Sequence, residues 1–193
     1  MINADDLISR NAAFAAGGSH EGLHILGSGN LMVIGCVDSR VDPSHVLGLD
    51  LGEVTVIRNV GGRVNPAVFR TLLMLAKVRE AHRGNVPAAT HIVVMHHTDC
   101  GIRDIAAFPE MLANDFDIPV EALDGKAVMD PVAAVRLDVG VLKEVLSTRM
   151  PTGLVRGLVY DVETGLIEVV VPTARVREEL TPAPTTSLDA PEI

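Results

Sequence analysis

Four short runs along this chain are apolar at nearly every position rather than at alternate ones. They are Leu31-Met32-Val33-Ile34-Gly35-Cys36, Val54-Thr55-Val56-Ile57, His91-Ile92-Val93-Val94-Met95-His96 and the stretch from Leu154 to Tyr160. A strand with one face in water alternates apolar and polar residues. A run without that alternation predicts a strand covered on both faces, as in a parallel sheet. Helical periodicity separates the runs. Asn65-Pro66 pairs a capping residue with a proline at the first helical position, and opens a pattern through Phe69, Leu72, Leu73 and Ala76 that Gly84 should end. Asp130-Pro131 repeats the signal ahead of Val135, Leu142 and Leu146. Weaker helical patterns cover Ile102 to Asp115 and Val120 to Val128.

The ends of the chain read differently. Asn3 or Asp5 is placed to cap a first helix that the Gly17-Gly18 pair stops, and a Gly-, Ser- and His-rich loop follows to Asn30. Asp161 to Gly165 carries turn residues between two apolar runs, which predicts a hairpin adding Leu166 to Val171 as an antiparallel edge strand. Pro172 to Ile193 has little periodicity and reads as a tail, or as an arm for a partner subunit. The expected fold is therefore α/β: a mostly parallel central sheet of four strands plus a C-terminal antiparallel edge strand, flanked by helices. Residues 1–193 should form a single domain, with 1–30 as an N-terminal helical arm and 172–193 as a C-terminal tail.

Composition narrows the functions available. Aromatic residues make up 3% of the chain and Trp is absent, so stacking platforms for single-stranded nucleic acid are not expected. The net charge is −9, from 16 Lys+Arg against 25 Asp+Glu, and such a surface repels phosphate backbones and anionic lipid. The partners expected are thus neither nucleic acid nor membrane. The opening MINADDLISR puts two acids where a secretory signal carries basic residues, and no run of 18 apolar residues follows, so the expected compartment is the cytoplasm. In that compartment the two cysteines, Cys36 and Cys100, suit metal binding or catalysis better than a disulfide. Two inert buried thiols are the plainer alternative.

Their neighbours favour the metal. The first strand runs into Cys36-Val37-Asp38-Ser39-Arg40 and the third into His97-Thr98-Asp99-Cys100-Gly101. Open parallel sheets bind ligands at the carboxyl ends of their strands, so adjacent first and third strands would bring Cys36 to His97 and Cys100. Two thiolates and an imidazole suit Zn2+, and three protein ligands leave the open fourth position of a catalytic site. An ion so held lowers the pKa of a water to about 7, against ~15.7 in bulk. Arg40 can pair with Asp38 and keep it ionised, and an ionised carboxylate only accepts hydrogen bonds, so it would orient the attacking oxygen. The alternative is an ion pair that merely orders the loop.

Together, Cys36-Val37-Asp38-Ser39-Arg40, Arg58-Asn59-Val60-Gly61 and His97-Thr98-Asp99-Cys100-Gly101 resemble the Cys-x-Asp-x-Arg, Arg-Asn-x-Gly and His-x-x-Cys-Gly motifs of the β-class carbonic anhydrases. The resemblance spans roughly Leu31 to Tyr160. It implies a zinc lyase that interconverts carbon dioxide and bicarbonate, with Cys36, His97 and Cys100 as metal ligands and Asp38 and Arg40 as a catalytic dyad. It also implies a homodimer or dimer of dimers, and a closed state in which Asp38 itself takes the fourth position on zinc. Two other readings share the site: a hydrolase of carbon disulfide or carbonyl sulfide, and a non-catalytic zinc- or bicarbonate-binding protein. The His96-His97-Thr98-Asp99 stretch departs from the Gly-His-Ser of many members, and without Trp an inhibitory bicarbonate site built on that residue cannot form. Arg58 is read as structural, His96 as turned to the opposite strand face from His97. Gly61 and Gly62 fit a plain turn or a close backbone approach, and Asp99 fits a supporting bond or solvent.

Overall fold

The computed structural model describes residues 3–82 and 90–177. Its centre is a five-stranded sheet of β1 (Leu31–Cys36), β2 (Thr55–Asn59), β3 (His91–His97), β4 (Leu154–Tyr160) and β5 (Ile167–Arg175). Their order across the sheet is β2-β1-β3-β4-β5, with the first four parallel and β5 antiparallel to β4. The unbroken apolar runs have the cause the pattern suggested: both faces are covered. Met32, Ile34, Ile92 and Val94 pack with Val68 and Leu72 of α3 (Pro66–Ala81) and Val135, Val139 and Leu142 of α6 (Pro131–Leu146). Val33, Val93, Met95 and Leu158 point the other way and meet Val46, Leu47 and Ile167. Fully burying side chains of this size contributes about 1.5–3 kcal/mol each, which makes this two-sided core the main source of stability.

The helix starts follow from capping chemistry. The Asn65 side chain accepts from the Val68 amide, and Asp130 accepts from the amides of Val132 and Ala133; each helix then begins with proline, which has no amide to leave unsatisfied. Helix α1 (Ala4–Ala16) carries a full capping box between Asn3 and Asp6, so Asn3 rather than Asp5 is the cap. None of its residues is buried, and Leu7, Ile8 and Phe14 stand exposed.

Three boundaries differ from the sequence pattern. The helix expected over Ile102 to Asp115 is two helices, α4 (Ile102–Ile105) and α5 (Pro109–Phe116), because Pro109 cannot continue the first. Val120–Lys126 is a 3₁₀ segment. Strand β5 runs through Pro172 to Arg175, past the point where the tail was expected to start. Pro172 is tolerated because β5 is an edge strand and one side of it needs no ladder donor. Helix α2 (Pro43–Val46) completes the described helices. The expected stop at Gly84 and most of the tail lie outside the described residues. No described helix is long and apolar enough to cross a membrane.

Candidate metal centre

Strands β1 and β3 lie side by side, with Gly35 opposite Met95, so the loops leaving their carboxyl ends meet. There the ligand-type atoms of Cys36, His97 and Cys100 all fall within 4.8 Å of one another, and all three residues are buried. The two sulfurs are 3.7 Å apart and both cysteines are free. Two thiolates on one tetrahedral zinc, each at about 2.3 Å, stand about 3.8 Å from each other, so the observed spacing matches shared ligation. The imidazole is set the same way. His97 Nδ1 lies 2.8 Å from the Thr98 carbonyl oxygen, which can only accept, so Nδ1 carries the proton. That leaves Nε2 as a bare lone pair, buried and without a hydrogen-bond partner among the described residues. An orphaned acceptor beside two sulfurs is the donor set a zinc ion fits, and the carbonyl on the far ring nitrogen is the usual device for fixing a ligand histidine.

Backbone donors tune the sulfurs. The Cys36 Sγ accepts from the Gly61 amide at 3.2 Å and from the Asp38 amide at 3.5 Å. Its pKa falls to about 4: the Cys100 thiol hydrogen-bonds to it, His97 and the two amides assist, and only burial opposes. Cys100 is pushed up in return, first by Cys36 and then by burial, so the two thiols do not titrate independently. Burial pushes His97 down, but the Cys36 sulfur more than reverses this and leaves the ring more basic than usual.

The glycines beside Cys36 are there for space. A Cβ on Gly62 would sit 2.9 Å from the Cys36 backbone nitrogen and 3.0 Å from the Met95 carbonyl oxygen, and its φ of +65° is one that side chains resist. So the Gly61-Gly62 pair is a close backbone approach that puts an amide on sulfur. Arg58 holds the loop from behind: its Nε donates to the Cys36 carbonyl and its Nη2 to the Asp38 carbonyl, each at 2.8 Å, while Nη1 pairs with Asp42. Its role in the fold is structural, as its place in the sequence suggested.

Asp38 is not among the three clustered residues. Its carboxylate faces Arg40, accepting from Nη2 at 2.8 Å, from Nε at 3.1 Å and from the Arg40 amide at 2.9 Å. These bonds hold the Asp38 pKa down at about 2. Arg40 reaches across to the other loop as well, donating to the Asp99 carboxylate and to the Asp99 carbonyl at 2.9 Å each. That settles the open choice at Asp99, which supports Arg40 and whose own pKa is lowered by it.

One group beneath the centre was not singled out from the sequence. Arg63 donates from Nε and Nη2 to the Asp138 carboxylate at 2.8 and 3.2 Å, and Asp138 also accepts from the Val64 amide. His96 lies on the face opposite its neighbour's ligand position, with Nε2 3.2 Å from Asp138. The signal was an acid in α6 sitting between Val135, Val139 and Leu142, on the stripe that packs against the sheet. A cavity of about 210 Å³ adjoins the centre, lined by Gly61, Arg63, His96, His97, Cys100 and Met129 among others.

The fold and the site together define an α/β protein with a buried three-residue metal-binding cluster at the carboxyl edge of a parallel sheet. The sequence model for carbonic anhydrase matches residues 31–116. The β-carbonic anhydrase 1 of Mycobacterium tuberculosis is 28% identical over 179 residues, which cover 89% of this chain and all of that one. A crystal structure of carbonic anhydrase from Streptococcus mutans superposes with a TM-score of 0.63 at 28% identity, covering 88% of this chain and 99% of that one. The fold is also shared with a carbon disulfide hydrolase, at 21% identity and a TM-score of 0.50 over 86% of this chain and 88% of that one. In sequence over most of its length and in fold, the chain is similar to the β-carbonic anhydrases.

Proposed function

We propose that this protein is a zinc-dependent carbonic anhydrase that converts carbon dioxide and water to bicarbonate and a proton, reversibly. The observation that carries the reading is the clustering of Cys36, His97 and Cys100, with two sulfurs 3.7 Å apart, beside an Asp38 held ionised by Arg40. Cys36, His97 and Cys100 would hold the ion. When bound, zinc supplies the Lewis acidity that lets a water give up its proton near neutral pH. The chain's own residues do the rest. Asp38 accepts a hydrogen bond from the attacking oxygen and turns a lone pair of that oxygen toward the carbon. Arg40 fixes Asp38 in that orientation, and Asp99 fixes Arg40 from the other loop. The adjoining cavity admits a small neutral molecule, and the proton leaves to buffer.

The same reading takes residues 1–193 as one domain acting in the cytoplasm. It takes the functional unit as a homodimer or dimer of dimers, because α1 buries none of its residues and leaves Leu7, Ile8 and Phe14 exposed.

Stopped-flow hydration of carbon dioxide by protein carrying one zinc per chain tests the proposal at pH 8 or above. A rate well above the buffer's is expected. A rate equal to buffer at full zinc occupancy overturns it, and sulfide release from carbon disulfide or carbonyl sulfide under the same conditions assigns the site to that chemistry instead.

A further inference from the structure

The amide that meets the Cys36 sulfur sits in a turn that does not hold its own shape. Gly61 and Gly62 have φ of +81° and +65°, and glycine gives the backbone little preference for one conformation over another. Asn59 closes the turn instead. Its Oδ1 accepts from the Arg63 amide at 2.8 Å, and its Nδ2 donates to the Arg63 carbonyl at 2.7 Å. One planar side chain thus ties both backbone polar groups of Arg63 back to the end of β2, with Val60, Gly61 and Gly62 looped between. Asp138 pins the far side of the turn through the Arg63 side chain and the Val64 amide.

The near side is placed on the metal ligand itself. Asn59 stands opposite Cys36 in the parallel register, and its carbonyl accepts from the Val37 amide at 2.9 Å. The clamp therefore sets the turn relative to Cys36, and the Gly61 amide arrives 3.2 Å from Cys36 Sγ, closer than the Asp38 amide at 3.5 Å. An N–H aimed at a thiolate draws electron density away from the sulfur. A sulfur so engaged gives less charge to a metal and leaves it the stronger Lewis acid, which two thiolates would otherwise blunt. Hydrogen bonds weaken steeply as their angle opens, so a slack turn would forfeit this effect without any change in the ligands.

We propose that Asn59 is a positioning residue for the reaction: by closing the turn over residues 59–63 it keeps the Gly61 amide on the Cys36 sulfur, and so keeps the metal acidic. It acts through the backbone and is not one of the clustered ligand residues. The proposal rests on the carbonic anhydrase reading, with Cys36 as a metal ligand, and adds to it the residue that limits how much charge this sulfur donates.

The test is the absorption spectrum of the cobalt-loaded protein, in which light moves an electron from sulfur to Co2+ and the energy of the band reports the sulfur's donor strength. Asn59→Ala leaves room for water to take up the Arg63 amide and carbonyl, and Asn59→Leu fills the space while removing both arms. In each, the band is expected at longer wavelength than in the wild type with cobalt still at one per chain, and hydration by the zinc form is expected to fall roughly tenfold. Arg79→Met is the control. It breaks bonds to Asn30 and Thr90, which precede β1 and β3 at the amino edge of the sheet, and should loosen the fold without moving the band. An unmoved band in the Asn59 variants overturns the proposal. So does an equal movement in Arg79→Met, or loss of cobalt from an Asn59 variant that stays folded, which would make the clamp a scaffold of the site and not a control on its sulfur. A moved band with wild-type turnover overturns the link to the reaction. A wild-type protein with no sulfur-to-cobalt band at all tells instead against Cys36 and Cys100 as ligands, and so against the carbonic anhydrase reading itself.

Discussion

Among the arginine–aspartate pairs at the carboxyl edge of this sheet, Arg40–Asp38 and Arg63–Asp138 set the same chemistry in opposite surroundings. Arg40 and Asp38 pair at 2.8 Å with side chains 48% and 18% exposed, and Asp99 joins them at 72%. Arg63 and Asp138 pair at 2.8 Å with side chains 1% and 4% exposed. Water screens the first pair, so it adds little to stability and its members can exchange partners at small cost. Nothing screens the second, and removing one member strands a charge in the core. The difference teaches where each pair acts. The exposed pair is placed to take part in chemistry, because Asp38 can turn without disturbing the fold. The buried pair joins the turn after β2 to α6 and so holds the floor beneath His97.

The largest effect that separates the two regions comes from the metal ligands. Cys100→Ala is expected to lose zinc and bring hydration down to the buffer rate, while circular dichroism still reports a folded chain. Retained stoichiometric zinc would show that Cys100 is not a ligand. Next is the buried pair. Asp138→Asn should cost about 3–5 kcal/mol in urea unfolding, which lowers the melting temperature by roughly ten degrees or more. A loss no larger than that of a surface substitution would erase the distinction drawn here.

Asp38→Asn probes the exposed pair. It should keep zinc and leave the melting temperature close to wild type, yet lower turnover roughly a hundredfold, because an amide can turn its N–H toward the oxygen it should accept from. Wild-type turnover in that variant would remove Asp38 from the mechanism. The smallest effect is in the pH dependence of stability. Burial alone would raise the Asp138 carboxyl, but His96 and Arg63 hold it below the ordinary range. A folded pKa below the unfolded value of about 3.9 means this stabilisation is complete above that pH and is lost as pH falls through the folded value. Urea unfolding from pH 6 down to 3 should therefore show a shallower acid decline in Asp138→Asn than in the wild type.

Much of this was readable from the linear pattern, and the limits have physical reasons. The strands β1 and β4 end where the apolar runs end: burial on both faces keeps β1 free of polar side chains, and β4 admits one, the half-buried Arg156. Cys36, His97 and Cys100 stand out because reactive residue types follow directly after such strands. The Arg63–Asp138 pair did not stand out because its members are 75 residues apart, and no local periodicity links a turn to the middle of a helix. Asp99 carried no signal either way: its role depends on how far Arg40 reaches between two loops, a distance that only the folded chain sets. Strand β5 outran its pattern because an edge position forgives Pro172, while the pattern treated proline as a stop.

Zinc K-edge absorption spectroscopy of the purified, fully loaded protein tests the central claim most directly. The geometry of Cys36, His97 and Cys100 leads us to expect two sulfur neighbours at about 2.3 Å and one imidazole nitrogen at about 2.0–2.1 Å, with a single further light atom. A spectrum of nitrogen and oxygen neighbours alone, with no sulfur in the inner sphere, would contradict the account.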